Sequence, residues 1–223
     1  MEPSEIYSAC RGRLLDMASS LSPSTVDAPL AATPPWTVVD GYRHLTGVCT
    51  DVLTGTLEGA GSPPWTAAQL EARRNWSIDR VCAEWAGRGP DLDVRVGEAG
   101  RGMVFVAFDA WTHEQDIRAA SAMRGLRDDD AVAALAVMAL TSFGARYTSS
   151  GAPPVTVELD GVTHTVGEGR PDVCLRTSPY ELMRIVFGRR SRRQMEAADW
   201  TGDSGPVIDA LHLFDLPALD ILD

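Results

Sequence analysis

Apolar residues recur at helical spacing through the first two thirds of the chain. Ile6, Leu14, Leu15 and Met17 mark a moderately amphipathic helix over about residues 4–21. The next stretch, to residue 35, carries Pro23, Pro29, Pro34 and Pro35 and reads as a loop. Thr37 followed by Asp40 matches a capping box and predicts a helix from Val38 to about Leu57. After a break at Ser62-Pro63-Pro64, Thr66 with Gln69 matches a second capping box. The helix it opens is expected to reach Ala86 and to stop at Gly87 to Pro90. A strongly apolar run of helical length, RGMVFVAFDAWTHEQDIRAASA, follows a polar stretch. Asp128 to Asp130 then cap the Ala-rich helix AVAALAVMALTSFGARY. Five such helices suit a four-helix bundle with one extra element.

The pattern changes at Ser149 to Pro154, which predicts a domain boundary with residues 1–150 on one side and 151–223 on the other. VTVELDG and THTV alternate around Asp160-Gly161, as a β-hairpin does. DVCLRT is a third strand, Ser178 with Glu181 caps the helix PYELMRIVFG, and residues 206–214 are expected to form a last helix. The fold class is therefore α + (α+β), a helical bundle followed by a small α+β domain.

Composition narrows the function. Apolar residues make up 44% of the 223, enough for a core, and the net charge of −11 argues against a nucleic-acid or anionic-membrane partner. Every basic side chain is Arg, which removes Schiff-base and phosphate-loop lysine chemistry. Cys10, Cys49, Cys82 and Cys174 are widely spaced and form no CxxC pair, so they are expected to be reduced. No signal-peptide pattern or membrane-length apolar run is evident, and a soluble cytoplasmic protein, monomer or homodimer, is expected.

The chemistry concentrates at Asp109, His113 and Asp116, spaced i, i+4 and i+7 and so on one face of a helix that is apolar nearly all round. Burying two acids and a histidine is costly unless a cation compensates them. A divalent metal does so, and His44, among Val38, Val39, Leu45 and Val48, is the natural third ligand from another helix. Asp116 then fits as an outer hydrogen-bond partner of His113. A plain salt-bridge network with Arg43 or Arg118 is the alternative. Trp36 and Trp111 read as core or pocket wall, with core preferred.

PWTVVDGYRHL, followed some seventy residues on by DAWTHEQDIRAA, resembles the DinB-like metal-binding bundle, and more specifically the mycothiol-dependent maleylpyruvate isomerase family of actinobacteria. The resemblance implies metal binding by His44, Asp109 and His113, with Asp116 at the following acid position. PYELMRIVFGRRS and DWTGD resemble that family's second domain, a small sterol-carrier-like α+β fold. What the resemblance implies is a metal-dependent, mycothiol-dependent enzyme, a thiol S-transferase or isomerase. Its cofactors would be a divalent ion, zinc foremost, and mycothiol as cosubstrate. Its partners would be that small-molecule thiol and a small electrophilic substrate. Arg189 and Arg190, with Arg118 near the metal helix, are candidates to hold carboxylate or polar groups of these ligands. Asp116 and Arg189 are the candidate catalytic residues, while Arg192 and Arg193 read as a solvated face. One departure is that Asp109 stands where the isomerase has glutamate. A metal hydrolase of the same fold and a non-catalytic metal- or small-molecule-binding protein are the competing readings.

Overall fold

The computed structural model describes residues 1–223, which divide into two compact units, 1–125 and 126–222. The division falls one helix earlier than the composition change at 149–154 suggests, because the Ala-rich helix groups with the strands that follow it.

The N-terminal unit is helical. Helix α1 (Pro3–Ala18) is followed by a short turn of helix, α2 (Pro23–Val26), inside the proline-rich loop. Helix α3 (Val38–Thr54) starts at the expected capping box: Thr37 N–H donates to Asp40 Oδ2 at 3.1 Å. The chain then departs from expectation. Instead of one helix from Thr66 to Ala86 there are two, α4 (Pro63–Arg73), which begins after Ser62, and α5 (Ile78–Ala99), capped by the Ser77 hydroxyl. Prolines favour the first turn of a helix, which is why Pro63 and Pro64 open α4 rather than block it.

The predicted stop at Pro90 does not stop α5. Proline inside a helix costs about 3 kcal/mol. Here Val81, Trp85, Leu92 and Val96, all fully buried, continue one face through it. Each such side chain contributes roughly 1.5–3 kcal/mol on burial, so packing outweighs the break. A 3₁₀ turn (Gly100–Met103) leads into α6 (Val104–Ala120). Helices α1, α3, α5 and α6 pack on one another, and α4 lies on α3. Arg73 of α4 forks onto Glu84 of α5, with both contacts at 2.7 Å. Burial alone would raise the Glu84 carboxyl, but hydrogen bonds from Arg73 and Thr50 outweigh it and hold it below the usual carboxylate range.

The C-terminal unit opens with α7 (Asp130–Ser149), capped by Asp129. By length and composition alone this helix could cross a membrane, which the sequence reading did not anticipate; it packs against α8 and β2. Four strands form one sheet in the order β2-β1-β3-β4: β1 (Val155–Leu159), β2 (Val162–Val166), β3 (Val173–Thr177) and β4 (Asp199–Thr201). β1 pairs antiparallel with β2 and parallel with β3, and β3 pairs antiparallel with β4. Between β3 and β4 lie α8 (Pro179–Val186), capped by Ser178 as expected, and α9 (Arg192–Glu196). The last helix is shorter than expected, α10 (Gly205–Ile208).

The hairpin turns at Asp160 and Gly161 with φ of 49° and 84°. Both residues lie in the left-handed region that a tight two-residue turn requires. Gly161→Ala should therefore cost about 1 kcal/mol, read as a lower urea midpoint. An unchanged midpoint would contradict this assignment of the turn.

Candidate metal centre

Two helices build the centre. Helix α6 is buried nearly all round, and its Asp109 and His113 lie one turn apart. Helix α3 supplies His44. The side chains of His44 and His113 are 4% and 7% exposed, while Asp109 is 25% exposed, so the cluster opens on the carboxylate side. His44 Nε2 lies 3.2 Å and His113 Nε2 3.6 Å from the same oxygen, Asp109 Oδ1. One donor atom from each of the three residues lies within 4.8 Å of the others. Neighbouring ligand atoms of a tetrahedral zinc, with bonds of ~2.0–2.1 Å, are ~3.3 Å apart. The two observed separations bracket that value.

Proton placement points the same way. His44 Nδ1 is 2.7 Å from Gln69 Oε1, and Gln69 Nε2 donates to Asp51 Oδ2 at 2.7 Å. A carboxylate oxygen accepts, so the Gln69 amide presents its oxygen to His44, and the imidazole proton sits on Nδ1. His113 Nδ1 lies 3.4 Å from Asp116 Oδ2, and the Asp116 side chain is 1% exposed. The His44 Nε2 lone pair then points toward Asp109 Oδ1. That is repulsive unless positive charge lies between them, as a metal ion shared with His113 supplies. The ring centroids of His44 and His113 are only 4.9 Å apart, so one ion can lie within reach of both. The donor set fits a divalent ion.

Trp36 is half-buried, its ring centroid 5.0 Å from that of His44 and 5.7 Å from that of His113, and Trp65 approaches His44 edge-on at 6.3 Å. Trp36 is thus a wall of the site rather than core, whereas Trp111 is fully buried.

The arginines fall elsewhere. Arg43 pairs with Asp40 at 2.8 Å, and Arg118 pairs with Glu114 at 3.0 Å. At ~100° per residue Arg118 lies roughly opposite Asp109 on α6, and its guanidinium is engaged by Glu114. Neither arginine neutralises the cluster as the salt-bridge alternative supposed. In the C-terminal unit, Arg190 forks onto Glu181 at 2.7 and 2.9 Å, and Arg127 shares that carboxylate. Burial would raise the Glu181 carboxyl, but these two arginines hold it below its ordinary range. Arg190 therefore already has a carboxylate in its fork. Arg189 is buried and donates to the Phe187 carbonyl at 2.6 Å. Arg192 and Arg193 are exposed, as expected of a solvated face.

His164 lies on β2 and His212 in the turn after α10. None of the four cysteines forms a disulfide. Burial pushes Cys49 and Cys82 each up to about 11, which makes them poor nucleophiles at neutral pH. The spacing from Thr66 marks Gln69 as part of a helix cap, whereas in the structure its amide meets His44.

A helical unit carrying a buried His-Asp-His cluster, followed by a four-stranded α+β unit, defines the architecture. Two solved structures are similar to the chain in fold. The chain is similar to a crystal structure of the mycothiol-dependent maleylpyruvate isomerase, with TM-score 0.53 at 11% identity over 84% of this chain and 88% of that one. It is equally similar to a histidine-to-alanine mutant of the same isomerase, with TM-score 0.52 at 11% identity over 83% and 88%. At this identity the likeness is one of fold. No family model matches the sequence, and neither does any curated protein.

Proposed function

We propose that His44, Asp109 and His113 hold one divalent metal ion, zinc foremost, and that the chain is a thiol-using enzyme, a mycothiol-dependent S-transferase or isomerase acting on a small electrophile. On this reading the N-terminal unit is a DinB-like bundle and the C-terminal unit a sterol-carrier-like α+β fold. The observation that carries the proposal is the convergence of two imidazole Nε2 atoms on one oxygen of Asp109, with His44 Nδ1 already hydrogen-bonded to Gln69. The thiol follows from the likeness of fold to a mycothiol-dependent isomerase and from the motifs around His44 and Asp109.

Three protein ligands leave a fourth position on a tetrahedral ion, where a bound water or thiol becomes acidic. The chain's own residues do the rest. Gln69 and Asp116 keep the two rings oriented, and Asp116 strengthens His113 as a donor. Trp36 and Trp65 screen the histidines from water on one side, while Asp109 marks the accessible side.

The test is spectroscopic. Protein loaded with cobalt(II) should develop a sulfur-to-metal charge-transfer band when mycothiol is added, and the band should be absent in His113→Ala. A cobalt spectrum that mycothiol leaves unmoved would remove the thiol from the proposal and favour the hydrolase reading.

A further inference from the structure

Helix α4 has two buried residues, Gln69 and Arg73, and both are polar. Its large apolar residues, Trp65 and Leu70, are only half-buried, so apolar packing is a small part of what seats this helix on α3. Gln69 occupies a place prepared for it. Its amide bridges His44 and Asp51, which are seven residues apart and so share one face of α3. Between them stands Gly47, where a Cβ would lie 2.5 Å from Gln69 Cβ and 2.6 Å from Cγ. Contacts that short are excluded, so only glycine at this position admits the glutamine. The residues His44, Gly47 and Asp51 thus make one slot on α3, and α4 fills it with a single amide.

We infer that Gln69 is the positioning residue of the metal centre: it fixes the proton of His44 on Nδ1 and commits Nε2 to the ion, with Asp51 setting the direction of the amide and Gly47 providing the room. The inference rests on the metal reading above. It adds that a residue from a third helix, touching neither the ion nor the reacting atoms, sets the metal affinity. Outer partners of metal-bound histidines typically contribute 10–100-fold in affinity.

The experiment measures zinc affinity by competition with a chromophoric chelator, together with the ring-nitrogen chemical shifts of His44 in metal-free protein. In the parent the shifts should report a proton on Nδ1. Gln69→Leu removes the acceptor and should lower zinc affinity roughly 10–100-fold while His44 becomes a mixture of tautomers. Gln69→Glu should also bind weakly, because its carboxylate meets Asp51 with no proton to share. Adding Asp51→Asn to Gln69→Glu reverses the polarity of the bridge, restores a donor, and should return the affinity toward that of the parent. A loss caused merely by poor seating of α4 would not be repaired by this exchange. The inference is overturned if Gln69→Leu keeps the parent's affinity and tautomer, or if the double variant is no better than Gln69→Glu. A parent protein that binds no zinc would overturn the metal reading and this inference together, whereas a zinc-binding parent with an indifferent Gln69→Leu would overturn this inference alone.

Discussion

His113→Ala, purified without chelator, should carry almost no zinc where the parent carries about one equivalent. The reason is geometric. His113 and Asp109 lie one turn apart on α6 and His44 meets them from α3, so the three would supply one ligand atom each. Without the second imidazole, one nitrogen and a partly exposed carboxylate remain, too few to compete with water. His44→Ala should lose the metal equally. Asp116→Asn should lose much less, by roughly 10–100-fold in affinity, because it disturbs only the ring that His113 presents. The same series should appear in thermal unfolding: zinc at a hundredfold excess over its dissociation constant stabilises the parent by about 2.7 kcal/mol, and the two histidine variants by nothing measurable. Full metal content in both His44→Ala and His113→Ala would end the assignment.

Glu114→Gln should destabilise the N-terminal unit by roughly 3–5 kcal/mol, the cost of breaking a buried ion pair from one side. The Glu114 side chain is fully buried between two arginines. Arg13 of α1 donates to both its oxygens at 2.7 Å, and Arg118 donates from one turn further along α6. Removing the charge leaves two guanidinium groups facing an amide that can still accept but no longer compensates them. Because the Arg13 side chain is 30% exposed, water recovers part of the loss, and the lower end of the range is expected. Urea denaturation reads the effect. Metal content should stay at the parent's level, since Glu114 lies off the donor face. A loss under about 1 kcal/mol would show that this triad is not a principal clamp between α1 and α6.

What the chain disclosed in advance was local or periodic. The Thr37-Asp40 cap, the Ser178 cap, the Asp160-Gly161 turn and the i, i+4 pair of Asp109 and His113 are each encoded within a few residues, and each stands where the pattern put it. His44 could be found because few histidines exist and its helix face is apolar. Pro90 is a breaker by itself, but Trp85 and Leu92 on either side keep helical phase through it. Gln69 differs. Its spacing from Thr66 imitates a cap, and nothing nearby in sequence reveals that Gly47 has cleared a slot for it on another helix. Glu114 belongs to the same class: its i+4 partner Arg118 was visible, but Arg13, a hundred residues away in sequence, could only be seen once the chain was folded.

The donors also tie together distant stretches of chain. His44 and Asp109 are separated by 65 positions, so an ion gripping both would close a long loop as a covalent staple does. For a staple of that span the restriction of the unfolded chain is worth about 4 kcal/mol in the polymer picture. Stripping the ion would then slacken the N-terminal half as a whole, with an effect reaching well beyond the few side chains that grip it.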